Sequence, residues 1–242
     1  MSNTDSPAPD PEVSPLFAQV VRDYRELEPG EGDTWNPLLC DVELLHRLEL
    51  FRLLTVALRR SPAPPSQIRV LDIGCGNGRS ARSYLDLGLL PEQVTALDLR
   101  PGALARASAS HPGLNYVQHD GGALPFDDEH FDWVSTCTVF SSVREPEARR
   151  ALGTEIARVL SPHGRFFYWD LLSANDFAGG DPLRPETIFT ELTIDWSERT
   201  RIGGFRSRER RLPRALATLF DGIERLVGPA THQAVLLKGS ST

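Results

Sequence analysis

The sequence predicts an α/β fold: a doubly wound, mostly parallel sheet with helices on both faces, an antiparallel C-terminal edge strand and an N-terminal helical cap. Three observations carry that expectation. Short apolar runs alternate strictly with helical segments from residue 67 to residue 170, the pattern of parallel strands joined by right-handed crossovers. Three glycines, Gly74, Gly76 and Gly78, occupy alternate positions between the first such strand and its helix. An acid, Asp98, closes the second strand, twenty residues beyond Gly78. In sheets of this kind ligands bind outside the carboxyl ends of the strands, so a site is expected in the strand-to-helix loops.

Taken in order, residues 1–14 are rich in Pro, Ser and Asp, too polar to offset the entropy of ordering, and read as a disordered tail. Residues 15–62 read as the helical cap. Within it Leu44, Leu48, Phe51, Leu54 and Leu58 recur at spacings of 4, 3, 3 and 4 with charged residues between them, an amphipathic helix. It stops at SPAPPSQ, whose prolines cannot continue a helix. One domain is expected over 63–242. RVLDIG, VTALDL, NYVQHD, FDWVSTCTVF and GRFFYWDLL read as strands, and ARSYLDLGLL, ALARASAS and EPEARRALGTEIARVL as the helices between them. After Asp170 the alternation ends. SANDFAGGDPLRPE reads as a loop, ELTIDW alternates Leu192, Ile194 and Trp196 with polar residues, and RIGGFRSRERRLPR is rich in Gly and Arg. LATLFDGIERLVG places an apolar helical face before the stop at Gly228-Pro229, and HQAVLLKG reads as a last strand.

Composition excludes several classes. The chain has 242 residues, 40% hydrophobic and 24% charged, so it can bury a full core. No apolar run approaches the ~20 residues of a membrane span. The N-terminus lacks the basic and apolar regions of a secretory signal, which makes the cytoplasm the expected location. Cys40, Cys75 and Cys137 are too scattered for a disulfide framework or a zinc site, so reduced thiols and no metal are expected. With 26 basic against 33 acidic residues the net charge is −7, which argues against general nucleic-acid binding.

The chemistry is concentrated in VLDIGCGNGRS. Its glycines let the backbone turn sharply and approach a ligand closely, with a helix N-terminus behind. Gly76, Gly78 and Ala81 also satisfy GxGxxA, the dinucleotide pattern, and Asp98 suits a ribose diol under either reading. Asp72, two residues before Gly74, separates them. A carboxylate so close opposes a pyrophosphate, whereas a cofactor carrying an ammonium and a sulfonium is favoured by it.

Four blocks in order, VLDIGCGNGRS, ALDLR, HDGGALPFDDEHFDWVSTCTVFSSV and EIARVLSPHGRFFY, resemble the class I S-adenosylmethionine-dependent methyltransferases. The likeness is to the small-molecule group that includes the ubiquinone and menaquinone methyltransferases, whose fold is Rossmann-like. The resemblance runs from about Gln67 to Tyr168. It implies that Gly74, Gly76 and Gly78 form the loop under the methionine part and ribose of S-adenosylmethionine, with Asp72 ordering that loop and the amino group. Asp98 would hold the ribose hydroxyls and Leu99 would pack on the adenine. Asp120 would take the adenine amino group, the backbone of Gly121 would approach the ring, and Cys137 would line the methionine end. It also divides the domain into a cofactor-binding core, 67–170, and an acceptor-shaping region, 171–242.

Family members often carry histidines after the fourth strand, where this chain has Ser141 and Ser142. A sulfonium methyl is already activated, so alignment of the nucleophile and exclusion of water are the main requirements, and a base serves only a poorly ionised hydroxyl or a protonated amine. Asp170, Tyr168 and His46 are the candidates for such a base. Asp170 also reads as a loop hydrogen-bonder, and His46 as a surface histidine. Trp35 reads either as part of a lid or as an anchor for the helix start. Seven arginines and two glutamates lie between Glu198 and Arg214. Arg208, Arg210 and Arg211 among them read either as forks for a phosphate or carboxylate on the acceptor or as an ion-paired strand surface. The function implied is O-, N- or C-methylation of a small-molecule acceptor. The rivals are a non-catalytic S-adenosylmethionine-binding protein, a nicotinamide-dependent oxidoreductase, and an enzyme methylating RNA.

Overall fold

A strand buried on both faces needs apolar residues at successive positions, and VLDI and VTALD supply them. In the computed structural model, which describes residues 13–27, 41–61, 63–171, 199–205 and 232–238, every residue of β1 (Val70–Ile73) and β2 (Val94–Asp98) is buried. With β3 (Asn115–Gln118), β4 (Phe131–Cys137), β5 (Leu160–Leu171), β6 (Arg199–Phe205) and β7 (His232–Lys238), they form one seven-stranded sheet of order β3-β2-β1-β4-β5-β7-β6. β1 pairs in parallel with both β2 and β4, so successive strands run outward on opposite sides of β1. The carboxyl ends of β1 and β4 therefore diverge at a topological switch point, where such sheets hold their ligands.

β7 is antiparallel to both β5 and β6, and β6 therefore runs with the first five strands. The reversed strand lies inside the sheet, with β6 at the edge, which corrects the expected antiparallel edge strand. The sequence concealed β6 because its register shifts between Arg201 and Gly203. The glycines beside that shift break the alternation that marks a strand.

Among the described residues five α-helices accompany the sheet: α1 (Ala18–Leu27), α2 (Asp41–Leu58), α3 (Arg79–Asp86), α4 (Pro101–Ser110) and α5 (Pro146–Val159). α4 and α5 open on a proline at their first turn, where the missing N–H costs nothing. Strand alternation divides the core in two. Leu71, Ile73, Leu97, Val134, Phe166 and Tyr168 pack with Ala148, Leu152, Ile156 and Val159 of α5. Val70, Ala96, Trp133, Phe167 and Trp169 pack with Leu50, Leu53, Leu54 and Ala57 of α2 and with Ala81 and Tyr84 of α3.

The buried face of α2 differs from the expected one. Leu44, Leu48 and Phe51 are exposed, and the stripe that meets the sheet is Leu50, Leu53, Leu54 and Ala57. Both sets have helical spacing, because this helix carries apolar residues on more than one face. Only contact with Trp133 and Trp169 decides between them. The end of the expected tail is also docked: the Ser14 N–H donates to the Asp120 carbonyl, and Val13 packs against the core. The connector after α2 closes as a single tight turn, Pro65–Gln67. Residues 1–12, Trp35, the ELTIDW and LATLFDGIERLVG segments, and Arg208, Arg210 and Arg211 lie outside the described residues. Among the described residues no helix is long and apolar enough to cross a membrane.

Candidate active site

The glycine turn is built by three residues at positive φ, Gly74 at 68°, Gly76 at 57° and Gly78 at 80°, a region that costs other residues about 1–2 kcal/mol. Their surroundings differ. A Cβ on Gly74 would stand 2.6 Å from Val139 Cγ2, and one on Gly78 would stand 3.1 Å from Ala107 Cβ and 3.2 Å from Tyr116 Oη. One on Gly76 would meet only the end of the Arg100 side chain, at 3.8 Å. Gly74 and Gly78 thus serve close packing of the turn, while Gly76 leaves its outer edge open to a ligand.

Two carboxylates hold this turn. Asp72 is fully buried and accepts hydrogen bonds from Ser80 Oγ at 2.5 Å and Ser135 Oγ at 2.7 Å, which ties the start of α3 to β4. Burial nevertheless pushes its pKa up to about 6, against the pull of both hydroxyls. Asp98 accepts the Gly76 N–H at 2.8 Å on one oxygen, and the Arg100 N–H at 2.9 Å and Nε at 3.2 Å on the other. The acid expected to meet a ribose therefore stands directly against the most open glycine. Leu99 is half-buried against the core.

Beyond β3, Asp120 accepts the Gly122 N–H at 2.8 Å and its side chain is 63% exposed. Gly121, at φ 89°, has Phe17 against it, with Cδ2 2.6 Å from where a Cβ would stand. Cys137 and Cys75 are free, and burial raises both thiols, the neighbouring Asp72 carboxylate adding to the effect in each case. Protonated thiols of this kind are poor nucleophiles.

At the ends of β4 and β5 a second group of polar residues meets α1. Tyr24 of α1 stands 3.1 Å from Ser142 Oγ, the Arg100 guanidinium lies 4.2 Å from the Tyr24 ring centroid, and Asp23 pairs with Arg144 at 3.0 Å. Asp170 is buried and accepts the Ser141 N–H at 3.2 Å. Burial raises the Tyr24 pKa, with the Asp98 and Asp170 charges adding to it, and Tyr24 stays protonated. Thr138 takes φ 57° in the turn between them, a conformation rare for a β-branched residue. His46, expected at the surface, is half-buried and stacked on Trp169 with ring centroids 4.4 Å apart, because α2 lies flat on the sheet there.

The structure thus gathers Asp72, the three glycines, Asp98, Leu99 and Cys137 at the ends of β1, β2 and β4, and sets Asp170 beside them. Sequence reasoning missed Phe17, Tyr24 and Arg100. A signal for the first two existed: Phe17, Val20, Val21 and Tyr24 follow the i, i+3, i+4, i+7 spacing of a helix face. Among the described residues no group of acids, histidines or cysteines could hold a metal ion.

The glycine turn with an open Gly76, and Asp98 against it, suits a nucleoside-bearing ligand. Residues 71–168 match a family model described as a methyltransferase domain. A phthiotriol/phenolphthiotriol dimycocerosates methyltransferase of Mycobacterium tuberculosis is 43% identical over 127 residues, covering 52% of this chain and 46% of the relative. A fatty-acid O-methyltransferase of Mycolicibacterium smegmatis is 43% identical over 104 residues, covering 42% of this chain and 36% of the relative. The match to these curated relatives thus spans less than half of their own length. The solved structure of a TehB-like SAM-dependent methyltransferase from Corynebacterium glutamicum superposes with a TM-score of 0.54 at 17% identity, covering 91% of this chain and 96% of the other.

Proposed function

We propose that the chain, whose residues 71–168 match a methyltransferase domain, is a class I S-adenosylmethionine-dependent methyltransferase that transfers a methyl group to an oxygen of a small, lipid-like acceptor. The observation that carries the cofactor reading is the contact between Asp98 and Gly76. It places a carboxylate able to accept from two ribose hydroxyls beside the one glycine of the turn whose outer edge is open. Asp72 holds the turn from behind and keeps negative charge near a cationic ligand. The acceptor reading draws on the names of two relatives, one a fatty-acid O-methyltransferase and one acting on phthiotriol and phenolphthiotriol dimycocerosates.

When bound, S-adenosylmethionine supplies an activated methyl on a sulfonium, so the protein's part is placement and exclusion of water. Gly74 and Gly78 shape the turn, Asp98 orients the ribose, and Phe17, just before the first helix, and Tyr24 on it lie against the loops after β2, β3 and β4. The test is calorimetric titration with S-adenosylmethionine, S-adenosylhomocysteine and NADH. Micromolar binding of both adenosyl ligands, lost in Asp98→Ala, is expected. Binding of NADH alone would overturn the reading.

A further inference from the structure

We propose, resting on that methyl-transfer reading, that Ser141 and Asp170 form the subsite for the acceptor's reacting group, and that this group is a neutral hydroxyl, not a carboxylate. The turn after β4 is seated directly on the cofactor loop, since Val139 fills the space beside Gly74. The two residues that follow the next position, Ser141 and Ser142, therefore lie at the end of the site where the methyl group would be delivered. Ser141 is 2% exposed, and among the described residues its Oγ has no hydrogen-bond partner, whereas a buried hydroxyl is ordinarily bonded. Its N–H donates to Asp170 Oδ2, so one turn holds an unsatisfied hydroxyl and a buried carboxylate in one place.

The turn is fixed at some conformational cost. Thr138, at φ 57°, is held by its N–H on the Trp169 carbonyl at 2.8 Å, by its Oγ1 on the Cys137 carbonyl at 2.7 Å, and by Ser142 Oγ donating to its own carbonyl at 3.2 Å. Strain of this kind persists where the surroundings impose it, often at functional sites. Among the described residues, the Asp170 charge acts on Tyr24 from α1 and on Cys137 from β4. Gln233, its register partner on β7, is uncharged. Burial keeps Tyr24 and Cys137 protonated.

The step balances without a further reactant. The acceptor O–H bond breaks and its proton passes to the Asp170 carboxylate. The acceptor oxygen forms the new O–C bond, the S–C bond breaks, and its electron pair stays on sulfur as a neutral thioether. Ser141 Oγ–H donates to the second lone pair of the attacking oxygen. A carboxylate acceptor needs no base and would bring a second negative charge beside Asp170, which is unfavourable in a water-poor site.

The test uses the full chain with S-adenosylmethionine and three probes sharing one alkyl chain: a para-alkylphenol, its ortho-nitro derivative, which is ionised near neutral pH, and the fatty acid. Release of S-adenosylhomocysteine is measured. The alkylphenol should be methylated faster than the fatty acid. Asp170→Asn should lower kcat for the alkylphenol about 100-fold or more, with S-adenosylhomocysteine affinity unchanged and a much smaller loss on the nitrophenol. Asp170→Glu should recover part of that loss. Ser141→Ala, which keeps the N–H bonded to Asp170, should raise KM for the alkylphenol about tenfold. Equal losses on both phenols, preference for the fatty acid, unchanged kinetics in Ser141→Ala, or no transfer to either phenol by a chain that binds S-adenosylmethionine would each overturn the inference. A chain that binds no S-adenosylmethionine removes the underlying reading instead. Should Asp170→Asn fail to fold, the Ser141→Ala and Asp170→Glu variants decide.

Discussion

Asp72→Asn offers a direct test of how the cofactor turn is anchored. The carboxyl is fully buried, and its pKa rises from the ordinary 3.8 to about 6 because burial outweighs the hydrogen bonds from Ser135 and Ser80. At 1.36 kcal/mol per pH unit that difference amounts to about 3 kcal/mol. The folded chain binds this proton more tightly than the unfolded chain does. The stability contributed by the protonated group is therefore complete below pH 3.8 and is lost as the pH rises through about 6. Asparagine is neutral throughout and can still bond both serine hydroxyls if one turns to accept. Urea unfolding of wild type and variant should then show a stability difference that moves against wild type by about 2 kcal/mol between roughly pH 4 and pH 7.5. A difference that stays level, or that moves in favour of wild type as the pH rises, would refute the account of a carboxylate held against its desolvation.

Other perturbations follow from the same geometry. Gly74→Ala and Gly76→Ala should each cost about 1–2 kcal/mol for the left-handed backbone. Gly74→Ala should cost a further ~1–3 kcal/mol for overlap with Val139, an excess that thermal melting should find relieved in a Val139→Ala background. In α2, Leu53→Ala should cost about 2–5 kcal/mol. Leu48→Ala, at a site 59% exposed, should stay within about 0.5 kcal/mol by chemical denaturation. Tyr84→Phe should cost about 1–3 kcal/mol in the same assay, because Trp133 Nε1 donates to Tyr84 Oη at 2.8 Å in the core.

Much of the sheet was legible because its central parallel strands, β1, β2, β4 and β5, are largely buried and are bounded by turn signals. β1, β2, β4 and β5 could be read from composition over a few residues, and α4 and α5 from their opening prolines. Where two readings fit one segment, the sequence could not choose. α2 carries leucines or phenylalanine around much of its circumference, so periodicity allowed two faces, and only the large flat surface of Trp133 and Trp169 selected one. β6 failed for the opposite reason: its glycines and bulge remove the alternation, and it becomes a strand through pairing with β7.

The same contrast divides the site. The cofactor half is written within one strand–helix–strand unit, where Gly76 and Asp98 lie 22 positions apart and still bond directly, so spacing alone reveals it. The half proposed for the acceptor is assembled from distant parts of the chain: Tyr24 and Ser142 are 118 positions apart, and Ser141 and Asp170 are 29 apart. No local pattern encodes such contacts, because they depend on which strand ends the sheet order brings together. In sequence, Ser141 and Ser142 only put a histidine base at that position in doubt. Ser141 stands beside a strained turn, with its N–H on a buried carboxylate, and under the proposed role that pair handles the proton differently, so the reactivity of graded phenols is a sharper probe than any further comparison of motifs.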